Sequence, residues 1–168
     1  MLMPEVVLIE EQQLVQSKNC SYTVVNGQQV NFSLAELAIV EINRLLGTSA
    51  NDAQDVQRLK LFPALSYFIL DHGQIEGYLL LDQNQKSKKT FQVVDFGDTT
   101  RLQNGGYETC LFISTIETLQ TNGAKKLLAE CPADQSHVID FLVNVAVQAN
   151  VHYTMQHVGT AFEIAYHL

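Results

Sequence analysis

The sequence lacks the hallmarks of secreted and membrane proteins. Its longest apolar stretches, near residues 61–70 and 138–147, are too short or too interrupted by polar residues to cross a bilayer. Residues 1–5 do not start the basic, apolar and small-residue series of a signal peptide. We therefore expect a cytoplasmic protein without a membrane partner. Tryptophan is absent and prolines number three, but a 168-residue chain with 46% hydrophobic residues is expected to form one domain, 1–168.

Cysteine is also scarce. The three cysteines, Cys20, Cys110 and Cys131, are odd in number and far apart, and none belongs to a C-x-x-C pair that would suggest zinc or a redox motif. No histidine has a spacing to Asp, Glu or Cys that completes a metal site. The sequence therefore predicts free thiols, mostly buried, and no metal.

Positive charge is in short supply. Ten Lys and Arg stand against eighteen Asp and Glu, which gives a net charge of -8. This balance disfavours phosphate backbones unless one basic patch is strongly localised. The cluster Lys86-Ser87-Lys88-Lys89 is interpreted as the solvated tip of a hairpin loop. We expect no nucleic-acid partner.

The first third of the chain predicts a strand and two helices. A capping box that begins at Ser33, followed by an apolar face and a terminal glycine, predicts a helix from about Leu34 to Leu46. Residues 21–25 are β-prone and precede Asn26-Gly27, a hairpin-type turn signal. A second, shorter helix is expected over residues 51–61.

The remaining chain alternates between strand and helix patterns. Three strands predict an antiparallel meander, and later strands alternate with two helices that have apolar faces of period 3.6. The predicted strands are 65–70, 75–81, 90–96, 126–131, 153–155 and 162–166, and the predicted helices cover 109–119 and 138–149.

A glycine turn joins the third meander strand to the next helix. It reads Arg101-Leu102-Gln103-Asn104-Gly105-Gly106. Such a turn presents unsatisfied backbone N–H groups, and the positive end of a helix dipole, to an anionic phosphate. The alternative is a strand-to-helix turn without a ligand, because turn glycines are common.

The element order and this turn resemble the GCN5-related N-acetyltransferase (GNAT) family. The family's cofactor motif is Gln or Arg, two residues, Gly, one residue, then Gly or Ala, and the hexapeptide departs from it only at Asn104. Asn is the non-glycine residue that best tolerates a left-handed backbone. The segment 122–135, with Gly123-Ala124-Lys125-Lys126 and Pro132-Ala133-Asp134-Gln135, also follows the family pattern. The likeness covers about residues 65–168 and indicates a divergent member.

The resemblance implies both a fold and a co-substrate. The fold is α/β (α+β), with a mixed, mostly antiparallel central sheet flanked by helices, of the acyl-CoA N-acyltransferase type. The co-substrate is acetyl-CoA or another acyl-CoA. Its implied binding residues are Arg101 at the head of the motif, the backbone amides of Asn104, Gly105, Gly106 and Tyr107 at the pyrophosphate, and Val94 and Phe96 beside the pantetheine arm.

Acyl transfer also needs an acid to protonate the leaving thiolate. The family's tyrosine acid falls, counting from Gln135, on Leu142, which cannot donate a proton. We take Tyr153 as the candidate acid, with Tyr107 and Tyr166 as alternatives. The usual placement of tyrosine favours the alternative for each of them, a half-buried aromatic with its hydroxyl at the surface.

The candidate base is Asp95, which interrupts the apolar run of the third meander strand. Asp98 and Glu76 are alternatives. Strand alternation favours an Asp95 side chain that points to solvent over one that lies in a cleft with a raised pKa.

Two functions follow from these observations. The first is direct transfer of an acyl group from acetyl-CoA to an amine, on a small molecule or a protein; the acidic balance favours a cationic acceptor. The second is a non-catalytic acidic interaction module, chaperone or adaptor with a degenerate acetyltransferase fold, which Leu142 and Asn104 favour. Apolar strand residues between Tyr153 and Leu168 could also pair across a homodimer.

Overall fold

The computed structural model describes residues 14–15, 17, 20–100 and 106–168. Within them, seven strands and four α-helices alternate with short 3-10 turns. In chain order these are β1 Thr23–Asn26, α1 Phe32–Leu46, α2 Asp52–Leu61, β2 Ser66–Asp71, β3 Gln74–Gln83, β4 Thr90–Asp98, α3 Gly106–Thr121, β5 Lys126–Pro132, α4 Ser136–Ala149, β6 His152–Val158 and β7 Ala161–His167. None of these helices is both long and apolar enough to cross a membrane.

The strands form one mixed sheet in the order β1-β2-β3-β4-β5-β7-β6. Every neighbouring pair is antiparallel except β4 and β5, which are parallel and joined through α3. The predicted meander is present as β2, β3 and β4. Its first turn is tight because His72 and Gly73 both adopt positive φ, 51° and 77°. The mixed, mostly antiparallel sheet flanked by helices is therefore confirmed.

The helices cover the two faces of the sheet separately. α1 and α2 pack on β2 and β3 through a small core with Ile39, Ile42 and Leu59 at its centre. α3 and α4 pack on the other face through a larger core around Phe112 and Leu142. A Cβ atom at Gly97 in β4 would lie 2.6 Å from Leu46 Cδ1, so glycine there permits α1 to lie close to the strand.

Two local predictions in the first third are wrong. α1 begins one residue after Asn31, whose side chain accepts the Leu34 amide at 3.2 Å, and Ser33 lies inside the helix. Asn26-Gly27 does not turn a hairpin. It starts a 3-10 turn because the buried Asn26 side chain accepts the Gln28 amide and donates to the carbonyl oxygens of Ala64 and Ser66.

The prediction of three free thiols is also wrong. Cys20 and Cys110 form a disulfide with a Cα–Cα distance of 5.5 Å, which is within the normal range. The bond ties the segment before β1 to the second turn of α3. Cys131 is free and buried, as predicted.

A buried tyrosine fixes α4 on the sheet. The hydroxyl of Tyr166 in β7 donates to the backbone carbonyl oxygen of Leu142 at 2.7 Å, and both residues are fully buried. Burial raises the pKa of Tyr166 far above its usual range, so it remains a neutral donor. Tyr153 lies opposite it on β6, partly buried beside the same core.

We expect Tyr166→Phe to lower the free energy of unfolding by about 1–1.5 kcal/mol, because a buried carbonyl loses its side-chain donor. Tyr153→Phe is the matched control, since no hydrogen bond of its hydroxyl is present among the described residues. Its effect is expected to stay below about 0.5 kcal/mol. Urea unfolding measures both, and equal losses would contradict the assignment.

Candidate active site

The central strands β4 and β5 separate soon after they meet. Parallel pairing covers only residues 90–92 of β4 and 126–128 of β5, although the strands continue to Asp98 and Pro132. A cleft of about 350 Å³ lies beside this separation, between the end of β4 and the start of α4. Its lining residues are Leu46, Thr48, Phe96, Gly97, Glu108, Gln135, His137 and Val138. Such a gap leaves one edge of β4 open to an extended ligand.

A β-bulge occurs in β4 where the gap opens. Leu80 lies opposite Asp95 and Leu81 lies opposite Val93, so Val94 is an extra residue. A bulge bends its strand and shifts the following side chains to the other face. Val94 and Asp95 therefore both face the α1–α2 layer, whereas Phe96 packs on the α3–α4 side.

The expectation that Asp95 points to solvent is wrong. Its Oδ2 accepts from the Tyr78 hydroxyl at 3.1 Å and from Asn51 Nδ2 at 3.4 Å. Its Oδ1 accepts the Phe96 backbone amide at 2.9 Å. Asp95 thus lies half-buried in a polar cluster between the sheet and the helices α1 and α2.

The Tyr78 hydroxyl is the centre of this cluster. It lies 2.6 Å from Asn43 Oδ1, 3.1 Å from Asp95 Oδ2 and 3.3 Å from Asp55 Oδ2. A hydroxyl has a single proton to donate, so three acceptors around it are compatible only if a carboxyl also carries a proton. Burial raises the pKa of Tyr78 far above its usual range, which keeps that proton in place.

Asp55 is the protonated member of the cluster. Its side chain is 1% exposed, and burial, with the neighbouring Asp95, raises its pKa to about 8. Asn43 Nδ2 donates to Asp55 Oδ2 at 3.2 Å and opposes this shift. Asp55 therefore holds its proton at neutral pH. Among the described residues, no Lys or Arg is in ion-pair contact with Asp55 or Asp95.

A second carboxyl pair lies at the end of β4. Burial raises the pKa of Glu108 to about 9, and Asp98 beside it adds to the effect. Asp98 Oδ1 also accepts from the backbone amide and hydroxyl of Thr100, at 2.9 and 2.8 Å. Because Glu108 is in the first turn of α3, the pair links the end of β4 to the start of α3. Of the two alternative bases from the sequence analysis, Asp98 is buried, and Glu76 Oε2 accepts a hydrogen bond from the Thr99 hydroxyl.

The N-terminus of α3 lies at this end of the sheet. Arg101, Asn104 and Gly105 fall outside the described residues, whereas Gly106 and Tyr107 form the first turn, whose amides have no acceptor within the helix. A Cβ atom at Gly106 would have the Tyr22 hydroxyl at 3.9 Å as its nearest described neighbour. The described residues thus leave room for a phosphate, and the helix dipole suits its charge. The Tyr107 hydroxyl donates to Asp71 Oδ2 at 2.7 Å and steadies the turn.

Of three further positions from the sequence analysis, one lines the cleft and two do not. Phe96 lines the cleft, but its amide already donates to Asp95, so a pantetheine arm would compete with that carboxylate. Tyr153 is not among the residues that line the cleft and lies beside the α4 core. Leu142 is 0% exposed, so the position expected for a tyrosine acid belongs to the core.

Sequence reasoning missed Asn43, Asp55, Tyr78 and Glu108. Asn43 had a detectable signal, since it continues the apolar face of α1 one turn after Ile39 and is 0% exposed. A polar residue at such a position indicates a buried hydrogen-bond network. The others have no local signal, because their partners are distant in sequence.

No protein-family model matches the sequence, and no curated protein matches it. Solved structures are nevertheless similar. Ard1 from Thermoplasma volcanium has a TM-score of 0.66 at 12% identity, over 88% of this chain and 99% of that one. The diaminobutyrate acetyltransferase EctA from Paenibacillus lautus, in complex with L-2,4-diaminobutyric acid and coenzyme A, has a TM-score of 0.63 at 8% identity, over 89% and 96%. A GNAT-family acetyltransferase from Streptococcus pneumoniae has 0.57 at 14%, over 88% and 100%.

The TM-scores of these structures establish the fold. The described chain has the acyl-CoA N-acyltransferase fold of the GNAT acetyltransferases, and the predicted resemblance is confirmed at that level. Some of the similar structures contain coenzyme A.

Protein stability is expected to fall as pH rises. Asp55, with a pKa of about 8, and Glu108, with a pKa of about 9, hold protons in the folded state that the unfolded chain releases near pH 4. The folded state binds more protons between these values, so the free energy of unfolding declines by up to about 1.4 kcal/mol per pH unit for each proton. Urea unfolding at several pH values from about 5 to 8 measures the slope.

A matched pair of variants assigns this slope. Glu108→Gln resembles the protonated side chain and should remove the contribution of one proton. Glu130→Gln, at an exposed position of β5, should keep the wild-type slope. An unchanged slope in Glu108→Gln would show that Glu108 carries no extra proton in the folded state.

Proposed function

We propose that this chain is a divergent N-acetyltransferase that binds acetyl-CoA, or another acyl-CoA, in the cleft between β4 and β5 and transfers the acyl group to an amine. The observation that carries the proposal is the separation of β4 from β5 beside the N-terminus of α3. The cleft is suited to an extended arm, and the helix terminus is suited to its phosphates. Arg101, Asn104 and Gly105 would complete the phosphate site with Gly106 and Tyr107, and Val94 and Phe96 would flank the arm.

The acyl-CoA would supply the acyl group as a thioester. An amine that enters as an ammonium ion must lose a proton before its lone pair forms the new C–N bond. Asp95 is proposed to accept that proton, because it directly precedes Phe96 in the cleft wall and has two hydrogen-bond donors that hold its Oδ2. Asp55 and Tyr78 would position Asp95.

The breaking C–S bond leaves a thiolate that takes up a proton. Tyr153 remains the predicted acid from sequence. Glu108 is a second candidate, because it lines the cleft and, with a pKa of about 9, carries a proton at neutral pH.

The acceptor is proposed to be a cationic amine, on a small molecule or a protein. A net charge of -8 attracts cations at long range, and the Asp95 carboxyl group has no described Lys or Arg in ion-pair contact with it. The single domain over 1–168, the cytoplasmic location and the absence of nucleic-acid and membrane partners stay predictions. A homodimer also stays a prediction, and β6 at the outer edge of the sheet is available for it.

A second candidate function is an acyl-CoA-binding or interaction module without catalysis. The core position of Leu142 favours it, since no hydroxyl is supplied there. Binding without turnover separates this candidate from the first.

Acetyl-CoA at about 100 times its Kd should raise the melting temperature by roughly 5–10 °C, since it stabilises the folded state by about 2.7 kcal/mol. Gly106→Asp should abolish the shift, because it adds a side chain and a negative charge at the phosphate site. Differential scanning fluorimetry measures both.

Thr121→Asp is the matched control for this variant. It adds the same charge at the other end of α3, about 22 Å away along the helix, and should keep the shift. An acidic residue in the first turn of a helix is compatible with its dipole, so Gly106→Asp is expected to fold. A full shift in Gly106→Asp would refute the site.

Asp95→Asn should lower kcat/KM by at least about 100-fold while the acetyl-CoA thermal shift remains, because it removes the proton acceptor and keeps the side-chain shape. Release of free thiol with a panel of polyamine, aminoglycoside and lysine-peptide acceptors measures activity.

Asp82→Asn, at an exposed position of β3, is the control and should keep its activity. Tyr153→Phe and Glu108→Gln in the same assay identify the acid, which is the one whose loss lowers kcat. Wild-type activity in Asp95→Asn would refute Asp95 as the base.

A further inference from the structure

We infer that the far end of the sheet from the cleft carries a docking surface for an acidic peptide segment of a partner protein. The surface is the basic corner, defined as Lys86, Lys88 and Lys89 in the β3–β4 loop and Lys125 and Lys126 at the start of β5. It contains five of the ten Lys and Arg residues in the chain. The other five Lys and Arg stand against eighteen Asp and Glu. The sequence analysis interpreted Lys86–Lys89 as a solvated loop tip, and the inference adds a binding role to that loop.

Backbone hydrogen bonds bring the two lysine segments together. The Lys89 carbonyl oxygen accepts the amides of both Lys125, at 2.8 Å, and Lys126, at 3.2 Å. Asn84 Oδ1 accepts the Lys86 amide at 2.8 Å, and Gln83 Nε2 donates to the Lys88 carbonyl at 2.7 Å. The loop is therefore ordered before a partner arrives, which lowers the entropy cost of binding.

Four of the five charges of the corner are available to a partner. Lys86, Lys89 and Lys125 are exposed and Lys126 is partly exposed. Among the described residues, none of these four ammonium groups lies within 4 Å of a carboxylate. The exposed arginine on α1, in contrast, already pairs with Glu41. Like charges held together without counter-ions favour an anionic partner.

A shallow groove continues from the lysines along an exposed part of the sheet, over β4, β5, β7 and β6. Two cavities of about 340 and 300 Å³ share Thr90 and Leu128, and Lys86 and Lys126 lie in their respective linings. Among the other lining residues, Asp82 and Glu163 are acidic and Phe91, Met155 and Ala165 are apolar. The rest are Gln83, Asn84, Gln85, Gln92, Thr154, Gln156 and His167. Amide and hydroxyl groups of this kind suit the backbone of an extended peptide.

The chemistry of the corner favours a peptide over other polyanions. The five cations are all lysines, without the arginine forks that recognise phosphates in two-point contacts. Among the described residues of the corner and the groove there is no exposed Phe, Tyr or Trp for bases to stack on, and Met155 is the one exposed large apolar side chain, too little to enter a membrane surface. A long polyanion would also approach the acidic remainder of the molecule.

The surface is separate from the proposed active site. Thr90 at the corner and Asp98 at the cleft are the two ends of β4, about 27 Å apart along a nine-residue strand. The inference therefore stands without acyl transfer.

Fluorescence anisotropy with a labelled octaglutamate peptide tests the inference, and octaglutamine is the neutral probe. Wild-type protein should bind octaglutamate and not octaglutamine, with affinity that falls as salt rises from about 50 to 150 mM. Lys86→Glu with Lys125→Glu should weaken binding at least about tenfold. Arg44→Glu with Lys60→Glu makes the same charge change on α1 and α2 and should weaken it less than about twofold.

Several outcomes would overturn the proposal. They are absence of octaglutamate binding at low salt, equal binding of octaglutamine, and equal loss in the two double variants. Tighter binding of a single-stranded oligonucleotide or of phosphatidylserine vesicles in the same buffer would assign the corner to a different partner. Circular dichroism of each variant verifies that a loss is not due to unfolding.

Discussion

The extra residue at Val94 is the constraint on which the candidate site depends. A bulge bends β4 away from β5 directly after their three parallel pairs, and it also moves Asp95 onto the face covered by α1 and α2. A regular strand at this position would leave Asp95 on the face of Val93 and would allow the pairing with β5 to continue. One inserted residue thus accounts both for the cleft and for the position of Asp95 in the polar cluster, next to Phe96 of the cleft wall.

Two pairs of carboxyl groups connect the outer half of β4 to the helices on either side of it. The Asp55–Asp95 pair lies on the α1–α2 side, and the Asp98–Glu108 pair joins the strand end to α3. A carboxyl pair that keeps one proton avoids burying two negative charges together, which would cost several kcal/mol. Burial is the main cause of the raised pKa values of Asp55 and Glu108, and the neighbouring Asp95 and Asp98 add to it. Glu108 is among the residues that line the cleft, so one protonated carboxyl belongs to the cleft wall.

Much of the architecture could be predicted from sequence because it rests on local periodicity. The meander, the helices and the β5 strand have clear apolar patterns, and Gly47 ends α1 with φ of 75° as expected. The predicted Ser33 cap failed because Asn31 is an equally good cap two residues earlier. The Cys20–Cys110 disulfide joins residues 90 apart, a separation that no local pattern reveals.

The site was less predictable for a related reason. Asp95 and Phe96 were placed on the correct strand. Strand alternation nevertheless assigned the Asp95 side chain to the wrong face, because a bulge precedes it. Nothing in the sequence marks Val94 as the extra residue. Asp55, Tyr78 and Glu108 acquire their roles from partners on other elements. The proposed phosphate-binding role of Arg101, Asn104 and Gly105 rests on the family resemblance. For Gly106 and Tyr107 the structure adds their position at the N-terminus of α3.

Charge is distributed unevenly along the sheet, and this bears on both proposals. Lysines are concentrated where β4 and β5 begin, whereas the two carboxyl pairs lie where β4 ends. A cationic amine is attracted to the carboxyl end and repelled from the lysine end, and an acidic segment experiences the opposite forces. At physiological salt the screening length is about 8 Å, so ends about 27 Å apart act on their partners independently. An acidic segment docked at the lysines would therefore leave the electrostatics of the cleft almost unchanged.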